Sequence, residues 1–511
     1  MNSNRRHFLA AALPLAALAL APRRLLAQGV LTPPGAPAPT GRTLAQIEPR
    51  TDISTLAGTA TTVYSITVPG SYYLTTNLAG AAGKDTIVVS VAGVTIDLNG
   101  FSLQSTDATR AAILGTSAPS LTVRNGRIQA GTYGVRGTTR LACYDLVVES
   151  ATTSGISGGT DSVAERCRLS ACGIGFLDRG RVEQCTVAGA QGIAVDNHAL
   201  VRFCSVTTGG IACEAYSQIL HCTVNSAPAI GISTNDFAIV SHCNVSTSVR
   251  SGISVRFNAR VDNCGVTAAG TTPTAGDAGF LSGIECNFAN CTANQCGVPG
   301  FVTTSSTHFS HCLSTTNTGN GFSCSNQCRL VDCTASGNSG LGISTGNRCA
   351  LTSCIANANS AGGIYATGNG AALDRCMAIG NTGGAGLRVD TGSVRDCEVR
   401  ETQGGPGIRC STGSHLLRNT SNANGIAATP QDGFLIEGGR SRVEGNHAYN
   451  NLGNGYTVTN TASTNSVLFI GNSAGSNDVA EFSIGANNAA GPILSPAAVD
   501  TTTIPTANFN L

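Results

Sequence analysis

The chain has 511 residues, yet 63 glycines, 2 Met, no Trp and 5% aromatics exclude one large core packed with bulky side chains. A hydrophobic content of 41% excludes a disordered chain. With 30 basic against 29 acidic residues, no global field draws the chain to nucleic acid or an anionic membrane, and Lys84 is the sole lysine.

In chain order, Arg5-Arg6-His7-Phe8-Leu9 resembles a twin-arginine export motif, and an apolar stretch to Ala21 follows. That stretch contains Pro14 and is too short to span a bilayer well. Residues 1–28 are expected to be a signal peptide, with Arg5, Arg6, Phe8 and Leu9 as its recognition residues. Residues 29–46, with Pro33, Pro34, Pro37 and Pro39, are expected to be a linker. The expected location is periplasmic or secreted, with a soluble mature chain. The twin-arginine route carries folded proteins, so folding would take place among reduced thiols.

A repeat then decides the fold. It reads VEQCTV (182–187), VRFCSV (201–206), ILHCTV (219–224), VSHCNV (240–245) and VDNCGV (261–266), and continues more loosely. Its marker residues are Cys167, Cys185, Cys204, Cys222, Cys243, Cys264, Cys291, Cys312, Cys333, Cys354, Cys376 and Cys397. Most are 18 to 22 residues apart. Asn99 and Asn125 are expected to hold the same position before them, Cys143 with a slight shift, and Asn419, Asn446 and Asn472 after them. Between markers lies a second short β-prone element, Gly-apolar-x-x, as in GIAV (192–195) and GIAC (210–213). Its x residues alternate outward. No helical period of useful length follows residue 42.

The pattern predicts an all-β, right-handed, single-stranded parallel β-helix of about 18 coils of roughly 21 residues. Residues 47–85 would cap it, 86–485 would form the coils, and 486–511 would be a C-terminal cap or tail. EPRTDISTLAG, YSITVPGSYYLTTNLAG, VTIDLNGFSL, LTVRNGRI and the closing ANFNL resemble the secreted bacterial β-helix proteins of the pectate-lyase-like superfamily. The resemblance covers roughly residues 47–511. It implies the fold and a groove for polysaccharide on one outer face. It brings no catalytic residue, because only a scrambled Thr234-Asn235-Asp236 echoes the superfamily's hydrolase motifs.

The 21 cysteines are expected to fill the core as reduced thiols. Cys213, Cys286, Cys324 and Cys410 would take inward slots of the second element. Disulfides between stacked coils have poor geometry, and the Cys286/Cys291/Cys296 and Cys324/Cys328/Cys333 spacings suit zinc weakly.

For chemistry, Asp196, Glu214, Asn235 and Arg256 recur at one outward position on four successive coils, and Asp236 follows one residue later. The close carboxylate pair Asp196 and Glu214, with Asp236 beside them, supplies the candidate catalytic residues, and Asn235 and Arg256 the candidate substrate-binding ones. The alternative is a solvated polar turn. His221 and His242 sit on adjacent coils, with His311 further on, and are candidates for binding against outward polar filler. Arg388 and Arg409 share a column and are candidates for clamping an anionic polymer, against a salt-bridged face.

The expected function is a binding or structural one, a long face presented to polysaccharide, acidic glycans included, or to a cell-surface partner. The absence of Trp argues against strong sugar stacking, and coils near 21 residues argue against a deep walled cleft. The alternative is a polysaccharide lyase or glycoside hydrolase on an acidic glycan. No cofactor is expected, except Ca2+ under a lyase reading. The longer coils 264–291, 419–446 and 446–472 are where a lip would form.

Overall fold

The computed structural model describes residues 49–459, 461, 466–494 and 506–511. The expected signal residues Arg5, Arg6, Phe8 and Leu9, and the linker, lie outside the described residues. Residues 50–511 form one compact unit.

Each coil carries three short strands rather than the two legible in the repeat. One coil runs Ile174–Phe176, Arg181–Glu183 and Thr186–Ala188, and the next Ile193–Val195, Leu200–Arg202 and Ser205–Thr207. Like strands stack in parallel, with Ile174 on Ile193, Val182 on Val201 and Val187 on Val206. This generates three ladders, named here the front, back and side sheets in that order. The outcome is a parallel β-solenoid of about 21 turns. The count exceeds the expected 18 because coils form before the first marker. Thr51–Asp52 already pairs in parallel with Gly70–Tyr73, so the segment expected as a cap is built of coils. At the other end Asn508–Asn510 pairs with Ser473–Gly475. Among the described residues no helix is long and apolar enough to cross a membrane.

The corners explain the repeat. Each turns on one residue in the left-handed conformation: Arg179, His198, Tyr216 and Phe237 between front and back sheets, and Gln184, Phe203, His221 and His242 between back and side sheets. A non-glycine residue there costs about 1 kcal/mol. The amide of the corner residue still joins the ladder, as in Gln184 N to Arg202 O at 3.1 Å and Phe203 N to Leu220 O at 3.0 Å. The next residue then points inward into a tight angle, filled by a small side chain in most coils and by Leu121, Leu141 and Leu146 in early ones.

At the back–side corner that residue is the marker cysteine. The Cys185 thiol donates to Glu183 O at 3.2 Å and lies 3.5 Å from Ala164 O, and Cys204 repeats this with Arg202 and Val182. Asparagine takes over with stronger bonds: Cys397 N donates to Asn419 Oδ1 at 2.9 Å, and the chain continues through Asn446, Asn472 and Asn508. All 21 cysteines are free and buried. Three expectations need correction. Asn99 and Asn125 are not core residues; they are exposed corner residues with positive φ, one position before the inward slot. Cys143 stacks on Ala164 within the back sheet, and Leu146 takes the corner slot instead. Cys286 fills the front–back corner, as Cys328 and Cys349 do, because it follows the left-handed Glu285. Cys213, Cys324 and Cys410 do occupy inward slots of the front sheet.

The third corner holds a second ladder that the repeat did not reveal. Asn317, Asn338, Asn359 and Asn381 stack fully buried, each side-chain oxygen accepting the amide of the residue one coil earlier. Within the core, Phe280, Phe301 and Phe322 stack at 4.7 Å, with Phe288 and Phe309 edge-on to them. The glycine opening each front strand is required by close approach. A Cβ on Gly192 would lie 2.0 Å from Gly210 O, and one on Gly231 would lie 2.7 Å from Gly252 O.

Cys312→Arg places an unpaired charge inside the ladder and should cost several kcal/mol or abolish folding, whereas Cys312→Ala should cost about 1 kcal/mol in denaturant titration. Asn338→Ala removes the acceptor of the Asn317 backbone amide and should cost roughly 1–3 kcal/mol, the Asn317 side-chain amide keeping Ala293 O and Ser314 Oγ. Burial pushes the Cys296 thiol up to about 11 and the Cys410 thiol up to about 12, from an ordinary 9.0. The unfolded chain therefore ionises first, and the stability held below pH 9 is lost as pH rises toward those values. The thermal midpoint should fall above pH 9, less steeply in a Cys296→Ala/Cys410→Ala variant.

Candidate functional site

In the three-residue front strands the outer residues point inward and the middle one points out. The register sets these middle residues in one column: Arg136, Ser157, Gly175, Ala194, Ala212, Ser233, Ser254 and Leu281. Six of them in succession carry almost no side chain. Beside them runs the glycine column with none. The result is a smooth strip along the solenoid axis, sunk below its two edges.

Three depressions lie along it. The first, about 600 Å³, is lined by Tyr133, Arg136, Ser157, Gly175, Ala194 and Asp196 among others. The second, about 260 Å³, includes Ala212, Ile230, Ser233 and Arg250. The third, about 450 Å³, includes Ser254, Arg256, Phe257, Leu281 and Ile284. The cleft thus arises from missing side chains, not from the long walls whose absence the coil lengths had signalled. Residues 271–277 form a loop pinned by Asp277, whose carboxylate accepts from Thr274 N at 2.7 Å and Ser251 Oγ at 3.0 Å and meets Arg250 at 3.3 Å.

Electrostatically the strip is bracketed by cations. Arg136 lies 4.8 Å from the Tyr133 ring centre and Arg256 5.2 Å from that of Phe257. Among the described residues neither guanidinium has a carboxylate partner, so both remain open to an anion.

The four expected site residues do form one column on the strip's edge, at the front–back corner. Val195, Cys213 and Thr234 stack in register immediately before Asp196, Glu214 and Asn235, and Ser233 stacks on Ser254, two residues before Arg256. Asp196, Glu214 and Arg256 are exposed. The Asn235 amide donates to Glu214 Oε2, so that carboxylate is partly occupied. Asp236 sits one position further round and its Oδ1 accepts from Phe257 N at 3.4 Å, which ties it to the turn.

The histidines stand elsewhere. His221 and His242 stack at 4.7 Å on the back–side corner, continuing Phe203 at 5.0 Å, so they are not joined to the carboxylate column. His311 lies 3.5 Å from Asp332. Arg388 and Arg409 share the front column in register, but Asp390 holds Arg388 at 3.1 Å and Glu437 holds Arg409 through two bonds of 2.7 and 3.0 Å. Of the two readings for this column, a clamp or a salt-bridged face, the geometry therefore has the arginines engaged by internal partners. Among the described residues no group of three or more His, Cys, Asp or Glu side chains gathers to hold a metal.

Two features escaped the sequence reading. The small-residue column was visible as the third letter of GIAV, GIAC, GIST and GISV, read only as alternation. An exposed stack of His198, Tyr216 and Phe237, with centroids 5.2 and 5.0 Å apart, borders the site on the front–back corner. The rings face one another, so they present edges rather than faces to a ligand.

A family model described as a right-handed beta helix region matches residues 323–474, in accord with the expected handedness. No curated protein matches the chain. Among solved structures, the mannuronan C-5 epimerase AlgE6 A-module of Azotobacter vinelandii is 12% identical, with a TM-score of 0.30, over 76% of this chain and 90% of that one. A periplasmic alginate epimerase, AlgG, is 11% identical at 0.26, over 73% and 76%. A tailspike protein of bacteriophage CBA120 is 10% identical at 0.23, over 83% and 62%. No residue is carried across from any of them.

Ala212→Phe adds an exposed ring to the strip's floor and should leave the thermal midpoint nearly unchanged while shielding neighbouring backbone from solvent, as seen by slower surface amide exchange at Ser233.

Proposed function

We propose that the chain is exported and binds an acidic polysaccharide laid along the front sheet. The observation that carries this reading is the smooth strip itself, six small residues long, with an unpaired arginine at each end. A flat, hydroxyl-rich polymer needs a long surface without obstruction, and its carboxylates need cations not already paired. Arg136 and Arg256 meet the second need. The Arg5-Arg6 motif supports delivery to the periplasm or beyond, where such polymers lie.

The test is equilibrium binding of polymannuronate, polygalacturonate and a neutral glucan. The polyuronates should bind and the glucan should not. Arg136→Ala and Arg256→Ala should each weaken polyuronate binding about tenfold at an unchanged thermal midpoint, since a charge-assisted bond contributes about 1.5–3 kcal/mol. Equal binding by both variants and the parent rejects the reading.

One observation favours a second reading, a lyase or hydrolase. Asp196 lines the first depression and Glu214 stands one coil away. Under it, polyuronates should yield unsaturated or reducing ends, and Asp196→Asn and Glu214→Gln should each cut the rate by about a hundredfold. Binding without any product leaves Asp196 and Glu214 as polar edge residues.

A further inference from the structure

The first depression holds two charges of opposite sign, Arg136 and Asp196, and keeps them apart. Its floor is the outward column Arg136, Ser157, Gly175 and Ala194, and its edge is the column two residues further along the chain, Thr138, Gly159, Leu177 and Asp196. The hollow lies where the edge drops to Gly159, between the half-buried Thr138 and the exposed Leu177. At about 600 Å³ it has the size of a small-ligand site. Arg136 and Asp196 stand at opposite ends of it, three coil steps or about 14 Å apart.

Among the described residues neither the Arg136 guanidinium nor the Asp196 carboxylate has an ion-pair partner. The charges one or two positions further round the corner are paired off. Asp161 and Asp178 hold Arg179 at 2.7 and 3.2 Å, and Asp178 also meets His198 at 3.2 Å. A second, independent observation is the Thr138 hydroxyl. Its oxygen is enclosed in the wall of the depression and has no hydrogen-bond partner. Enclosed polar atoms are nearly always bonded, so this one lacks a partner that the protein does not supply. Tyr133, with Arg136 4.8 Å from its ring centre, and Leu177 add apolar surface for a sugar ring. A chain of uronates alone would set a carboxylate against Asp196, and like charges so placed repel. An ammonium at that end is attracted instead.

We propose that the first depression takes a zwitterionic stretch of glycan, with Arg136 binding a uronate carboxylate and Asp196 the ammonium of an amino sugar about three residues along. This rests on the binding reading above and narrows its ligand class to a polymer that carries free amines as well as carboxylates. In a strictly alternating chain of uronate and amino sugar, residues three apart are always of opposite kind, so one such chain meets both charges at once.

The experiment is calorimetric titration of the full chain with polymannuronate and with two hexasaccharides of alternating glucuronate and glucosamine, one with free amines and one N-acetylated. The free-amine hexasaccharide should bind about tenfold more tightly than the acetylated one. That preference should disappear in Asp196→Asn, and in the parent it should fade as pH rises and the sugar ammonium loses its proton. Arg136→Ala should weaken both hexasaccharides about tenfold and keep the preference. Thermal midpoints of both variants check that they fold. Equal affinity of the parent for the two hexasaccharides, a preference that survives in Asp196→Asn, or binding of polymannuronate alone overturns the zwitterionic subsite while leaving the binding reading intact. Failure of all three ligands to bind overturns the binding reading and the subsite with it.

Discussion

Everything in this molecule follows from the stacking of one backbone on the next at hydrogen-bonding distance. A parallel ladder that runs through strands and corners alike, as in Gln184 N to Arg202 O, leaves no room for the chain to vary its path. Each position must then accept whatever environment its counterparts above and below create. Corner residues must tolerate the left-handed region, the residue after each must fit an inward angle that small side chains fill in most coils, and the glycine opening each front strand must stay bare because a Cβ would strike the next carbonyl. The composition noted at the outset, rich in glycine and cysteine and empty of tryptophan, is this constraint repeated coil after coil.

The same constraint made the fold legible. A cysteine every coil announces a column, and the glycine before each front strand announces a close approach. The third strand per coil was harder to read because its inward residues, such as Val187 and Val206, merge with the marker segment into one apolar run. Asn99 and Asn125 were misplaced by one residue. An asparagine looks the same in sequence whether it sits in a left-handed corner or in the buried slot that follows, and only the ladder distinguishes them. The buried Asn317–Asn381 ladder shows the opposite failure. Its residues lie in polar, loop-like stretches, and nothing local says that each side chain is enclosed and fully bonded.

The candidate site was half legible for a related reason. Charged residues catch the eye, so Asp196, Glu214, Asn235 and Arg256 stood out, and the register does align them. The strip beside them is defined by what is missing, and alanine or serine in a strand carries no chemical signal. Arg388 and Arg409 stood out as a clamp or a salt-bridged face because their column was visible, while the sequence does not state that Asp390 in the same strand and Glu437 just after the strand Phe434–Ile436 turn toward them. A charge pattern shows which groups are near one another; only geometry shows which are already paired.

The handover from cysteine to asparagine divides the solenoid by bond strength. Before it, the back–side corner is held by weak thiol contacts; after Cys397 each coil is tied to the next by amide bonds of about 2.9 Å, and the side–front corner gains its own amide ladder from Asn317 onward. In a solenoid each repeat touches only its neighbours, so local stability follows the local bonds, and the coils after Cys397 are the ones whose opening should cost most.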